Sequence, residues 1–152
     1  MARTLIVYST ITGNTQLAAE TIEQQLKHKL PQNFVEVVPA ETVDLAMLKT
    51  LQPGDLCMLA ASTWEGHTVP QDMVNVLNQI ESDTTVLSGK NWAVFGCGDT
   101  SYDPYFCHAV DILSEKLSTW GVKLVIPSLK IDGFPELPTN QDQIVAWCDQ
   151  LT

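Results

Sequence analysis

Thr10-Ile11-Thr12-Gly13-Asn14-Thr15 lies between an apolar run, Thr4-Leu5-Ile6-Val7-Tyr8, and a helical pattern that begins near Gln16. The order strand, tight turn, helix makes this stretch an anion cradle. Gly13 permits close backbone approach, and the helix that follows points unpaired N–H groups and the positive end of its dipole at whatever anion sits in the turn. No Lys or Arg occurs between Arg3 and Lys27, so neutral donors alone would hold that anion. An ordinary helix capped by Thr12 or Asn14 is the competing explanation.

Missing residues separate the phosphate-binding classes. A nucleoside-triphosphate loop needs Gly-x-x-x-x-Gly-Lys-[Ser/Thr] and a dinucleotide loop needs Gly-x-Gly-x-x-Gly; the stretch matches neither. A single terminal phosphate needs no lysine when Thr10, Thr12 and Thr15 hydroxyls, the Asn14 amide and the turn backbone surround it. A phosphotransfer receiver would need an acidic pair after the first strand and an aspartate closing the third. Tyr8-Ser9 and Ala61-Ser62 occupy those places.

Outward from the turn, apolar runs alternate with longer amphipathic segments along all 152 residues. That alternation specifies an α/β fold, a parallel sheet with crossover helices, in a single domain over residues 1–152. Strands are expected at 4–8, 34–38, 56–61, 92–96 and 122–126, with a possible return to extended structure at 128–132. Helices are expected at 16–30, 44–48, 71–80, 106–120 and 141–151. In the helix at 106–120 the spacing of Ala109, Val110, Leu113, Leu117 and Trp120 turns one face to the sheet and puts Trp120 in the core. In an open parallel sheet the ligand crevice lies beyond the carboxyl ends of the strands, where strand order reverses.

Two further loops fall at that edge. Ala61-Ser62-Thr63-Trp64-Glu65-Gly66-His67-Thr68 carries a tryptophan on a polar loop, and Gly96-Cys97-Gly98-Asp99-Thr100-Ser101-Tyr102-Asp103-Pro104-Tyr105-Phe106-Cys107 carries further aromatic rings. Two such loops can grip a planar heterocycle from both faces, each stack contributing about 0.5–1.5 kcal/mol beyond area burial. Alternatively, Trp64 and Tyr102 fold back as loop anchors.

The three motifs together resemble the flavodoxin family, and the resemblance spans essentially the whole chain. It implies a doubly wound five-stranded parallel sheet in the order 2-1-3-4-5, of the short-chain type because no long insertion interrupts the fifth-strand region. It further implies non-covalent FMN and one-electron transfer between redox enzymes through a low-potential semiquinone/hydroquinone couple, with no substrate reaction of the chain's own. A small FMN-dependent NAD(P)H or quinone reductase is the alternative. The resemblance carries Thr10, Ile11, Thr12, Gly13, Asn14 and Thr15 over as the phosphate loop, with Ser62 near the phosphate. Ser62, Thr63, Trp64, Glu65 and Gly66 form the inner loop, in which Trp64 covers one flavin face. Cys97, Gly98, Asp99, Tyr102, Tyr105, Phe106 and Cys107 form the outer loop. Tyr102 and Tyr105 compete for the outer stack, and backbone near Gly98, Asp99 and Cys107 would meet the pyrimidine edge.

Glu65-Gly66 stands where several relatives place glycine directly after the tryptophan. A type II turn from Trp64 to His67 puts Gly66 where positive φ is needed, so the Glu65-Gly66 peptide is expected to turn over on reduction. Acids such as Glu65 and Asp99 would disfavour the reduced anion, each ~1.4 kcal/mol lowering a one-electron potential by about 59 mV. Asp72, Glu81, Asp83, Asp99 and Asp103 are expected to form an acidic rim. His67 either tunes the potential near neutrality or is simply solvated.

Eighteen acidic residues against eight basic ones give a formal charge of −10. Such a charge argues against nucleic acid and anionic membrane and favours partner proteins with basic docking surfaces. No apolar run is long enough to span a membrane and no signal peptide is evident, so a cytoplasmic monomer is expected. Cys57, Cys97, Cys107 and Cys148 have no metal-type spacing and read as small buried hydrophobes; no metal is expected. His28 and His108 read as surface residues.

Overall fold

Five short apolar runs pair into one sheet, and the side-chain alternation along each sends successive residues to two separate cores. The computed structural model describes residues 3–10, 13–63, 69–99 and 106–151. Its strands are β1 (Arg3–Ser9), β2 (Phe34–Pro39), β3 (Leu56–Ala61), β4 (Asn91–Gly98) and β5 (Leu129–Asp132). All pair in parallel in the order β2-β1-β3-β4-β5. The helices are α1 (Asn14–Lys29), α2 (Leu45–Lys49), α3 (Gln71–Ser82), α4 (His108–Thr119) and α5 (Pro138–Asp149).

On one face Leu5, Val7, Cys57, Leu59, Trp92 and Val94 pack against Met73, Ile80, Val110 and Leu113, which places α3 and α4 there. On the other, Ile6, Met58, Ala60, Ala93 and Phe95 pack against Ala19, Ile22, Ile144 and Trp147, so α1 and α5 cover that side. Burial on both faces explains why β3 and β4 read as continuous apolar runs rather than alternating ones.

From β1 the chain moves outward to β2, then returns across β1 to β3. The reversal therefore lies between β1 and β3, whose last residues, Ser9 and Ala61, are register partners. Ser62 extends this ladder by donating its N–H to the Ser9 carbonyl at 3.2 Å. Helices α1, α3, α4 and α5 all begin at this carboxyl edge of the sheet.

Four expected strands stand where the sequence put them, and the fifth does not. Residues 122–126 form no strand, although Val125 donates one backbone hydrogen bond to the Trp92 carbonyl at 3.0 Å. Pro127 has no N–H to continue a ladder. Pairing starts again at Leu129, in register with Phe95, and ends with Asp132 opposite Gly98. The weaker expectation of extended structure at 128–132 is thus the fifth strand. Helix boundaries shift for local reasons. Pro138 starts α5 before residue 141 because its fixed φ suits the first turn. Cys107, in a left-handed conformation at φ 51°, delays α4 until His108. Trp120 is half-buried at the rim of the α3/α4 core rather than inside it. Among the described residues no helix is long and apolar enough to cross a membrane, and no cluster of side chains could hold a metal ion.

Candidate functional site

At the end of β1 the Thr10 hydroxyl accepts the Gly13 N–H at 2.9 Å and closes the turn. Gly13 caps α1 at φ 94°, a conformation that suits glycine, and no side chain among the described residues caps the helix. The first bond along the helix is Leu17 N–H to the Gly13 carbonyl, at 3.0 Å. The N–H groups of Asn14, Thr15 and Gln16 precede it, so α1 offers its open end to an anion. Asn14 is the first helical residue and does not serve as a cap; Ile11 and Thr12 lie outside the described residues.

Two buried hydroxyls flank the strand reversal. Thr15 Oγ1 and Ser62 Oγ are both shielded from solvent and have no hydrogen-bond partner among the described residues. The Thr15 hydroxyl lies against the Cys97 sulfur and draws that thiol's pKa slightly down, against the larger upward push of burial. That contact falls short of hydrogen-bond geometry. A buried hydroxyl without a partner costs on the order of 1–3 kcal/mol, so two beside one open helix end suit a ligand that accepts hydrogen bonds. A phosphate fits this donor set, and FMN carries one.

The inner loop leaves β3 through Ser62 and Thr63. Thr63 Oγ1 accepts the Ala109 N–H at 3.2 Å, so its hydroxyl binds the first turn of α4. Trp64, Glu65, Gly66 and His67 lie outside the described residues, as does the peptide expected to turn over on reduction.

The outer loop leaves β4 through Cys97, Gly98 and Asp99. Gly98 has no room for a side chain: a Cβ there would lie 2.8 Å from Cys107 N and 2.9 Å from Cys107 Sγ. Its carbonyl accepts the Gly133 N–H at 2.8 Å, which ties the root of this loop to the β5–α5 connection. Cys107 is buried, with Sγ 3.7 Å from both the Gly96 and Ile131 carbonyl oxygens. Burial pushes its thiol up to about 12. Phe106 packs against the α3/α4 core, whereas Asp99 is exposed. Tyr102, Asp103 and Tyr105 lie outside the described residues.

The expected acidic rim is corrected in two places. Glu81 and Asp83 sit at the far end of α3, at the opposite edge of the sheet from the cradle. Asp83 accepts from Thr85 and pairs with Lys49 at 3.5 Å, contacts that hold its carboxyl below the usual range, with the Thr85 bonds foremost. Asp72 does lie at the carboxyl edge, but it accepts a hydrogen bond from the buried Ser9 hydroxyl. This pair was not evident in the sequence, because the two residues are 63 positions apart and neither belongs to a motif. His28 is exposed, and His108 is half-exposed, 3.9 Å from Asp111.

Comparison with known proteins agrees with this geometry. The flavodoxin family model matches residues 6–147. A flavodoxin of Maridesulfovibrio salexigens is 36% identical over 149 residues, covering 97% of this chain and 94% of that protein. A flavodoxin of Nitratidesulfovibrio vulgaris (Miyazaki F) is 37% identical, covering 99% and 97%. The crystal structure of oxidised flavodoxin 2 from Bacillus cereus superposes with a TM-score of 0.85 at 31% identity, covering 98% of this chain and 97% of that one. With the strand order, the uncharged cradle and matches of this extent in agreement, the chain belongs to the flavodoxin family, whose members bind FMN and carry electrons.

Proposed function

We propose that this FMN-binding electron carrier works as a low-potential one-electron shuttle between redox enzymes and has no substrate reaction of its own. The observation that carries this reading is the pair of buried, unpartnered hydroxyls, Thr15 and Ser62, at the open end of α1. Bound FMN supplies the one-electron chemistry, and the protein sets its energetics through local charge and hydrogen bonding. In this reading Thr10, Thr12, Asn14 and Thr15 would hold the phosphate with the α1 N–H groups and Ser62 close by, and Ile11 and Gly13 would belong to the same turn. The absence of any cation between Arg3 and Lys27 means that the turn and the start of α1 supply no cationic side chain to the phosphate, whose charge disfavours further negative charge nearby.

Thr63 ties the root of the inner loop to α4, and in this reading Trp64, Glu65 and Gly66 would lie on one side of the flavin. Cys97, Gly98, Asp99, Phe106 and Cys107 shape the root of the outer loop, and in this reading Tyr102 or Tyr105 would cover the other side. We read residues 1–152 as a single domain, a reading supported by the one sheet that strands from residue 3 to residue 132 build. A charge of −10 suits partners with basic docking surfaces, and the chain acts as a cytoplasmic monomer.

Stepwise reduction of the FMN-loaded protein, followed by its visible spectrum with reference dyes, tests this reading. Two separated one-electron steps with a low second potential are expected. A single two-electron step, or oxidation of NAD(P)H by the loaded protein, would point to the reductase instead. Electron transfer to a basic c-type cytochrome should slow steeply with added salt.

A further inference from the structure

The inner loop has two ends, and each is fixed by a side-chain hydrogen bond to a different element. At its start, Thr63 Oγ1 holds the Ala109 N–H at the head of α4. At its far end the chain re-enters the core through buried Val69 and Pro70, and the Pro70 carbonyl accepts the N–H groups of Met73 and Val74 at 3.0 and 3.1 Å. Two residues on, Asp72 Oδ1 accepts both the Ser9 hydroxyl and the Met73 N–H, the latter at 3.0 Å.

Ser9 is the last residue of β1, and the phosphate turn leaves directly from it. It is buried, and its N–H and C=O belong to the ladder that crosses the strand reversal, where its carbonyl accepts Ser62 N–H. Leu5 and Val7, four and two residues earlier, face the α3/α4 core, and Ser9 continues that face. The Asp72 carboxylate therefore sits across the sheet from α1, at the head of α3, and accepts two hydrogen bonds there.

We infer that Ser9 and Asp72 are a positioning pair that sets the spacing between the phosphate turn and the far end of the inner loop, and so determines the preference for FMN over riboflavin. The inference rests on the reading of Thr10–Thr15 as the phosphate site. FMN must satisfy the phosphate turn and the ring loops at once, so its affinity depends on how far apart the two are held. Riboflavin lacks the phosphate and engages only the ring side. Loss of the link lowers the effective concentration of one subsite for a ligand already held at the other, and only the two-ended ligand is affected.

Fluorescence titration of the apoprotein with FMN and with riboflavin tests the pair. Ser9→Ala and Asp72→Ala should each weaken FMN by about tenfold, the scale of one charge-assisted hydrogen bond, and leave riboflavin within about threefold. The double variant should be no worse than Asp72→Ala, because both changes remove the same link. Asp72→Asn keeps an acceptor oxygen and should stay close to wild type in its FMN preference. The inference is overturned if Ser9→Ala leaves the FMN-to-riboflavin ratio unchanged, if FMN and riboflavin weaken equally, or if Asp72→Asn is as damaging as Asp72→Ala. A wild-type apoprotein that binds FMN no better than riboflavin would instead sink the phosphate reading itself. Thermal melting of each apoprotein separates these results from misfolding.

Discussion

At the scale of single residues, the site depends on polar groups that the fold leaves unsatisfied. Among the described residues, Thr15 and Ser62 are buried hydroxyls with no partner, and no side chain caps the first N–H groups of α1. Stability and binding should therefore move in opposite directions on mutation. Thr15→Val preserves the branched shape and removes an unpartnered hydroxyl, so the apoprotein should melt no lower than wild type. The same change should weaken FMN by roughly tenfold, read by fluorescence titration, with riboflavin little affected. The hydroxyl-rich turn and its lack of cations were legible in the sequence. The use of Thr63 was not: its hydroxyl serves Ala109, 46 residues away, and no local pattern announces such a bond. The pairing of Ser9 with Asp72 escaped notice for the same reason.

Whole elements show where local pattern and tertiary pairing part company. Val122, Leu124 and Ile126 alternate as a strand should, yet the ladder gains only the Val125 bond before Pro127 interrupts it. Leu129 and Ile131, both buried, pair with the carboxyl half of β4 instead, which brings the next connection alongside the outer loop. Alternation reports which side of a strand is apolar, but it cannot report which partner supplies the hydrogen bonds. After β5, Asn140 is buried at the start of α5 and donates from Nδ2 to the carbonyls of Asp132 and Phe134, each at 2.8 Å. Asn140→Ala would remove both of these bonds and leave the Phe134 carbonyl only the longer one from Leu137 N–H, at 3.2 Å. A loss of about 2–3 kcal/mol in urea unfolding is expected, with an unchanged slope. A loss below ~0.5 kcal/mol would show that other donors can take over.

Over the whole molecule, burial on both faces of the sheet makes the protein sensitive to alkali. Cys57, Cys97, Cys107 and Cys148 are all buried thiols, each pushed up by burial from 9.0 to about 12. The unfolded chain releases these protons near pH 9, whereas the folded chain keeps them until about pH 12. The resulting stabilisation is complete below the unfolded value and is lost as pH rises through that window. Denaturant midpoints measured from pH 7 upward should hold steady and then fall above pH 9, and Cys148→Ala should flatten the fall. A disulfide reagent should meet no fast thiol in the folded protein at neutral pH. The sequence by itself determined the parallel α/β fold, the strand that opens it, the uncharged phosphate turn and the family, because apolar periodicity and short motifs are local. Only the tertiary structure decided which segment closes the sheet as β5, which acids lie at the site edge and which hydroxyls are free. Each of those depends on what the sheet brings together from positions far apart, and pairing across a strand reversal leaves no local trace.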